Sequence, residues 1–373
     1  MRTAIGWKGL LALLFAYRCM TTVFAQTFIV SFTSLGDFGT FGANQDITTS
    51  GVWFLVPESI VANMAVVLSR LFLGSTLMVS LCFQVLAFYG LYCLLTALEP
   101  YYRKRLVPLL FLPSFALWSS ITGKEAVLVF ALSIVCAYLI DAFHGRERLR
   151  LVHLLAGFLL FVFKPHYGAA LVYFYGVVVA APYIHPRAFV AFAAGAISLL
   201  PLYLFFDVLS EISFQVLPHF VGGSTRAAFW IAPDDVYLKA AYGMLLSFIG
   251  PTLPEALRAS NPLHVVTFCE SLVTLAYLAY LFLGQIRWMS AYNFFLVGFS
   301  LFWLLFANYP FGVMNPGGAV RYRTGYIVFI FVLFAVIAAK EASPRWWRGT
   351  RPTAPQVRDP SMPPGAVPAY PSP

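Results

Sequence analysis

The sequence predicts an all-α integral membrane protein: a polytopic bundle of about ten transmembrane helices, with interfacial or re-entrant helices on the outer face. Of its 373 residues 60% are apolar and only 10% are charged, with a mean hydropathy of +0.80, whereas an ordinary soluble domain has roughly 25% charged residues. Several apolar runs reach the ~20 residues that a helix needs to cross about 30 Å of hydrocarbon. Because these runs are continuous rather than alternating, they exclude a transmembrane β-barrel as well as soluble and disulfide-rich classes.

Polar breaks divide the apolar sequence into segments of spanning length. The first of them resembles a signal peptide, but Arg18 interrupts its apolar core, so we expect an uncleaved helix. The stretches 60–73 and 240–249 are apolar but lie in long outer segments, and we expect helices in or dipping into the outer interface. The predicted spans are 9–32, 76–98, 106–122, 125–143, 151–166, 168–184, 188–206, 263–283, 290–308 and 324–340.

Positive charge predicts the orientation of the bundle. With the amino terminus inside, the inner loops and tail hold fourteen Lys and Arg residues and the outer side holds seven. This bias predicts a multi-pass protein of the cytoplasmic (inner) membrane with both termini in the cytoplasm. Residues 1–340 form one predicted transmembrane domain, and 341–373, with nine prolines, form a predicted disordered cytoplasmic tail.

Basic residues collect on the predicted outer side, where the charge bias leads us to expect few. The third and fifth spans are too short to cross, so their polar ends should lie recessed and close together. Guanidinium groups and a helix amino terminus both suit phosphate oxygens, and two arginines stand on a strand-like i, i+2 spacing at the last helix start. We expect a lipid-phosphate site formed by Lys124, Lys164, His166, Arg321 and Arg323, with secondary roles for Glu125, Ser120, Tyr167 and Tyr322.

Each of these residues also has a structural interpretation. A single Lys or Arg at a helix end commonly snorkels or marks topology. Glu125 is equally suited to pairing with a basic neighbour, and His166 to a hydrogen bond at an interface. Within the spans, Arg18 and Glu270 are interpreted as a structural ion pair or as snorkelling groups, and an ion or proton path is the alternative.

Asp37 is the candidate catalytic residue. It follows the first span in a glycine-spaced turn, Gly36-Asp37-Phe38-Gly39, where glycines allow the backbone to approach a ligand. Sugar transfer from a lipid phosphate requires a base for the acceptor hydroxyl and cations for the departing phosphate. Asp37 suits the first task and the basic residues suit the second; a solvated turn aspartate is the alternative. The sequence leaves the metal and cofactor requirement unknown: a divalent metal is compatible with these residues but not required by them.

In this order the residues resemble the multi-pass C-type (GT-C-like) glycosyltransferases and related bacterial polysaccharide polymerase-like proteins. The resemblance covers the topology of 1–340 and depends on short motifs: Asp37 in the first outer loop, an interfacial helix before the second span, Pro113-Ser114 through Trp118-Ser119-Ser120 to Lys124-Glu125, and Arg321-Tyr322-Arg323. It implies a polyprenyl-linked sugar donor, action at the outer face, and a base or metal-site role for Asp37. The sequence departs from the pattern in lacking an Asp-x-Asp pair after the first span and an outer carboxy-terminal domain.

The sequence therefore predicts an enzyme, a membrane glycosyltransferase that moves a sugar or oligosaccharide from a polyprenyl-(di)phosphate donor to a glycan or lipid acceptor. Its expected partners are these lipids and glycans, with a polysaccharide-assembly complex as a further candidate and no nucleic acid. Three alternatives stay open: a polysaccharide polymerase or ligase of the same pathway, a lipid-linked sugar flippase, and a non-catalytic member of an export complex.

Overall fold

A computed structural model describes residues 6–31, 51–146, 148–215, 226, 229–258, 262–287 and 289–338. This part of the chain is helical and contains no strand. Its helices are α1 (Trp7–Thr27), α2 (Pro57–Leu71), α3 (Thr76–Ala97), α4 (Pro100–Leu110), α5 (Pro113–Trp118), α6 (Lys124–Phe143), α7 (Leu151–Phe163), α8 (Gly168–Ala180), α9 (Arg187–Leu204), α10 (Phe206–Phe214), α11 (Asp235–Leu238), α12 (Ala240–Ile249), α13 (Leu253–Arg258), α14 (Leu263–Ile286), α15 (Ala291–Val313) and α16 (Pro316–Phe331), which continues as a π-helical turn, Val332–Ile337.

Seven helices in the described ranges are long and apolar enough to cross a membrane: α1, α3, α6, α9, α14, α15 and α16 with its π-helical turn. The chain is therefore a multi-pass helical membrane protein, as its composition predicts. The pair α7 and α8 would add an eighth crossing if the two were one span, since together they are apolar enough but are bent by 113°. The expected count of about ten is thus not reached by the described helices.

Prolines decide the outcome of two predictions about the spans, one wrong and one confirmed. The span predicted over 106–122 is not one helix, because α4 ends at Leu110 and α5 begins at Pro113. Proline has no N–H to continue a helix and its ring clashes with the preceding turn, so Pro113 starts a new helix. The predicted break at Pro165 is confirmed: α7 ends at Phe163, and a short 3₁₀ turn, Pro165–Tyr167, leads into α8.

Helices α6 and α16 form the centre of the bundle. Most of their residues are buried, whereas most residues of α1, α9 and α14 are not, which places these three helices at the periphery. The contact of α3 with α6 is especially close at Gly90, where a Cβ atom would lie 2.6 Å from the Cα of Phe130. Small residues at such crossings allow two helix backbones to approach in a membrane.

The two stretches expected at the outer interface are helical. The first corresponds to α2 and the second to α12. Helix α12 packs against α15, where Gly243 faces the ring of Tyr309 and Gly312 faces Ser247. Their position at a membrane surface stays a prediction, and the tail predicted over 341–373 lies outside the described residues.

Candidate functional site

Several of the predicted site residues meet at one end of the bundle. Helix α6 begins there with Lys124 and Glu125, α7 ends there before Lys164, and α16 brings Arg321 in its second turn. Lys164 lies within electrostatic reach of Glu125, Arg321 and Lys124, and also of Glu58 at the start of α2. Lys124 and Lys164 thus lie within electrostatic reach of each other, although the span at 106–122, on whose shortness the expectation was partly based, is not one helix.

Glu125 and Arg321 form a two-point ion pair between α6 and α16. Arg321 Nε donates to Glu125 Oε1 at 2.5 Å and Nη2 donates to Oε2 at 3.1 Å. The side chain of Glu125 is only 6% exposed, and that of Arg321 is 16% exposed. The guanidinium carbon also lies 5.6 Å from the ring centre of Trp118. Glu125 therefore has the paired position that its structural interpretation anticipates, and it holds Arg321 at the edge of the site.

Lys124 pairs with Glu58, a residue that the sequence interpretation did not include. Lys124 Nζ donates to Glu58 Oε1 at 2.7 Å, and both side chains are reached by solvent, at 25% and 57% exposure. Glu58 follows Pro57 in the first turn of α2. A Pro-Glu pair at a helix start is a recognisable sequence signal, but nothing in the sequence indicates that α2 begins beside α6.

Lys164 differs from the other two cations because its ammonium group has no acid bonded to it. Nζ lies 4.1 Å from the ring centre of Tyr322 and 5.8 Å from that of Phe311. Among the described residues it makes no hydrogen bond and no salt bridge. A cation over aromatic faces is stabilised by the ring quadrupole while its three N–H donors remain available to a ligand.

His166 and Tyr167 extend the site from Lys164 toward α15 and α16. His166 Nε2 lies 3.2 Å from Asn308 Oδ1, and its ring stacks on Phe311 at 4.9 Å. Tyr167 is fully buried, and no described residue is hydrogen-bonded to its hydroxyl. His166 is therefore hydrogen-bonded, as its structural interpretation anticipates. The buried hydroxyl of Tyr167 is a donor that no described residue accepts.

Arg323 does not join this site. The strand-like spacing expected for Arg321 and Arg323 is wrong, because both lie within α16, where residues two apart point to nearly opposite sides. Arg323 Nη1 donates to Ser271 Oγ at 2.8 Å and to the Phe248 carbonyl at 3.2 Å, and Nη2 lies 3.7 Å from Glu270 Oε1. The terminus of α16 is likewise occupied, since Asn315 Oδ1 accepts hydrogen bonds from the backbone of residues 317 and 318.

Arg18 and Glu270, interpreted from the sequence as an ion pair or as snorkelling groups, each bond to other partners among the described residues. Glu270 instead faces Arg323 and accepts a hydrogen bond from the backbone N–H of Ser114 at 2.9 Å. Arg18 donates to Gln84 and to Ser119, in the turn before α6. The next residue in that turn, Ser120, is buried, and its hydroxyl has no hydrogen-bond partner within the described ranges.

Asp37, the candidate base, lies outside the described residues, so its placement relative to Lys164 stays a prediction. In the ranges that the structure covers, no group of three or more His, Cys, Asp or Glu side chains is positioned to hold a metal ion. The partners that sequence interpretation missed are Glu58, Asn308 and Phe311. Each belongs to a helix far from its partner in the chain, and no spacing within the sequence indicates these contacts.

The site combines the cations Lys124, Lys164 and Arg321 with two carboxylates that are each bonded to one of them. Such a set can bind an anionic group through Lys164 while the neighbouring ion pairs adjust to it. No family model matches this chain, and no curated protein or solved structure is significantly similar to it. Fold and site together define a multi-pass helical membrane protein with a partly buried cationic site at one end of its bundle.

Proposed function

We propose that this chain is a membrane glycosyltransferase that uses a polyprenyl-phosphate- or polyprenyl-diphosphate-linked sugar at the outer face of the cytoplasmic membrane. The observation that carries the proposal is the position of Lys164. Its ammonium group lies over Tyr322 and Phe311, near Lys124 and Arg321, with no described acid bonded to it. A partly buried cation with unused donors suits the phosphate of a membrane lipid.

The chemistry of such a transfer assigns different tasks to the residues. The acceptor hydroxyl would attack the anomeric carbon while a base takes its proton, and the bond from that carbon to the phosphate oxygen would break. Negative charge then builds on the leaving phosphate, where Lys164, Lys124 and Arg321 would stabilise it. Asp37 remains our candidate for the base.

The proposal is tested with the full chain in lipid nanodiscs and a radiolabelled polyprenyl-phosphate sugar, with a short glycan or lipid as acceptor. We expect Lys164→Met to reduce kcat by about 10²-fold, the usual effect of losing one donor to a developing anion. Lys104→Met is the matched control, since Lys104 is an exposed lysine on α4. Asp37→Asn should abolish transfer but leave donor binding intact.

Two results would overturn the proposal. One is a wild-type protein that neither binds the lipid-linked sugar nor releases polyprenyl phosphate from it. The other is a Lys164→Met protein with wild-type donor affinity and rate, because the site would then have no part in holding the phosphate. A polymerase or ligase would give the same dependence on Lys164 but would yield extended or transferred oligosaccharides, which product sizing separates from single transfer.

A lipid-linked sugar flippase is the second candidate, and one observation favours it. Arg18, Glu270 and Arg323 lie buried within helices of spanning length, and polar groups at depth are what a transport path requires. These residues are bonded to protein neighbours rather than left facing an opening, so we rank transport second. Movement of donor across sealed proteoliposomes without sugar release would favour the flippase.

A further inference from the structure

Arg18 is a fully buried charge in the middle of α1. Its Nε donates to Gln84 Oε1 at 3.0 Å, and Nη2 donates to the Ser119 carbonyl at 3.1 Å and to Ser119 Oγ at 2.9 Å. All three acceptors are uncharged, and Nη1 has no hydrogen-bond partner within the described part of the chain. A buried guanidinium without a counter-charge is costly in a membrane bundle, and an apolar side chain would avoid that cost.

The hydrogen bonds of Arg18 belong to a larger set that holds the turn between α5 and α6. Thr22, one helical turn beyond Arg18, donates to the Ser120 carbonyl at 3.3 Å. Ser80 of α3 accepts from the Thr122 backbone N–H at 3.2 Å, and the hydroxyls of Ser80 and Thr122 are 2.8 Å apart. Residues 119, 120 and 122 are thus fixed to α1 and α3.

This turn leads directly into the candidate site. It ends at Gly123, and Lys124 and Glu125 are the first residues of α6. Gly123, the N-cap residue of α6, has no side chain that could accept a hydrogen bond from the first turn of the helix. Trp118, just before the turn, lies beneath the guanidinium of Arg321. A shift of the turn would therefore move Lys124, Glu125 and the ring beneath Arg321 together.

We infer that Arg18 is a positioning residue for the cationic site, acting through the turn at 119–123; as a statement about ligand binding, this rests on the proposed function. The guanidinium fork reaches Gln84 with one nitrogen and both oxygens of Ser119 with another. A lysine keeps the charge but presents a single nitrogen and cannot reproduce that fork. Arg18→Lys therefore separates geometry from charge.

The first measurement is the affinity of the full chain in nanodiscs for polyprenyl phosphate. A displacement of about 1 Å is costly wherever a group must be aligned, so we expect Arg18→Lys to weaken binding roughly tenfold. Thr22→Val keeps Arg18 and removes one bond to the turn, and it should act in the same direction with a smaller effect. If Arg18→Lys does not fold, Thr22→Val alone tests whether the bonds to the turn affect binding.

A second measurement needs no ligand. With the five native cysteines replaced, a single cysteine at position 124 reports the position of the α6 start through its rate of modification by a charged thiol reagent. We expect this rate to change several-fold in the Arg18→Lys background, since the exposure of position 124 depends on the turn. A rate and an affinity that both stay at wild-type values would overturn the inference.

Arg226→Lys is the matched control. Arg226 is also a buried arginine, but it bonds to Glu255 and to the carbonyls of Gly250 and Val313, none of which belongs to the turn. It should lower thermal stability without changing either readout, and equal changes in both variants would reduce Arg18 to a general structural role. If wild-type protein does not bind polyprenyl phosphate, the proposed function fails, while the modification rate still decides whether Arg18 positions the turn.

Discussion

Removal of Arg321 should lower the free energy of unfolding more than removal of Lys124, because the first breaks a buried ion pair and the second an exposed one. Arg321→Met would leave the Glu125 carboxylate 6% exposed and without its two charge-assisted hydrogen bonds. Breaking a buried pair by removing one partner costs about 3–5 kcal/mol. Because Arg321 itself is 16% exposed, we expect the lower end, a loss of about 3 kcal/mol.

Lys124→Met provides the comparison. Its partner Glu58 is 57% exposed, so water solvates the carboxylate when the lysine is removed. A pair of this kind contributes no more than about 1 kcal/mol. The two variants therefore differ in the burial of the acid that is left behind, while the residues removed are both cations of the same site.

The assay is reversible unfolding in mixed detergent micelles without lipid donor, followed by tryptophan fluorescence. The double variant Glu125→Gln with Arg321→Met removes the buried charge as well, and it should recover at least about 1 kcal/mol relative to Arg321→Met alone. Equal losses in Arg321→Met and Lys124→Met, or no recovery in the double variant, would refute the reasoning from burial.

Two further predictions concern parts of the fold outside the site. Burial alone raises the pKa of Glu255, but hydrogen bonds from Arg226 and a backbone N–H outweigh it and hold that pKa below its usual value of 4.5. This stabilisation is present above pH 4.5 and is lost as the pH falls through the lower folded-state pKa, so the unfolding free energy should fall in that acid range, and less so in Glu255→Gln. Gly90→Ala would place a Cβ atom 2.6 Å from the Cα of Phe130 and should cost about 1–3 kcal/mol in the same micelle assay. Gly176→Ala meets nothing within 4 Å and should leave stability unchanged or slightly raised, so a similar loss in both would contradict the close contact of α3 and α6.

Apolar length predicts the continuous helices well. The span expected at 76–98 is α3, Thr76–Ala97, and its start is marked by Ser75, whose side chain accepts a hydrogen bond from the backbone N–H of Met78. Proline is harder to interpret because its effect depends on context. Pro108 lies inside α4, whereas Pro113 begins α5. Both are preceded by apolar residues, and tertiary packing determines which one ends a helix.

Two acidic residues that pair with its arginines explain why the last helix begins closer to the amino terminus than the sequence predicts. The sequence predicts a span from residue 324, since Arg321 and Arg323 are typical of a loop, but α16 begins at Pro316. Both arginines are accommodated inside the helix because Glu125 and Glu270 face them from opposite sides. These acids are far away in the chain, and a single sequence does not indicate which distant charges meet.

The meeting of Lys124 and Lys164 was predictable for a different reason. The expectation used the lengths of two apolar runs and the break at Pro165, which are local properties; the break is present, but the run at 106–122 is divided between α4 and α5. The selection of Lys164 as the cation without a bonded acid was not predictable, because it depends on Glu58 and Glu125 being taken by Lys124 and Arg321. The sequence shows which residues are charged, but their pairing is known only from the packing of the helices.

The sharp bend between α7 and α8 also bears on how often the chain passes from one leaflet to the other. Two thirteen-residue helices turned by 113° form either one broken crossing or a re-entrant hairpin that enters and leaves by the same surface. In a hairpin, as in the two complete spans that the sequence predicts, Arg146, Arg148, Arg150 and Arg187 share one aqueous compartment. A single broken crossing would divide Arg187 from the other three. An impermeant maleimide applied to cysteines placed at 146 and 187 tests this: labelling of both from one side excludes a single broken crossing, and labelling from opposite sides establishes one.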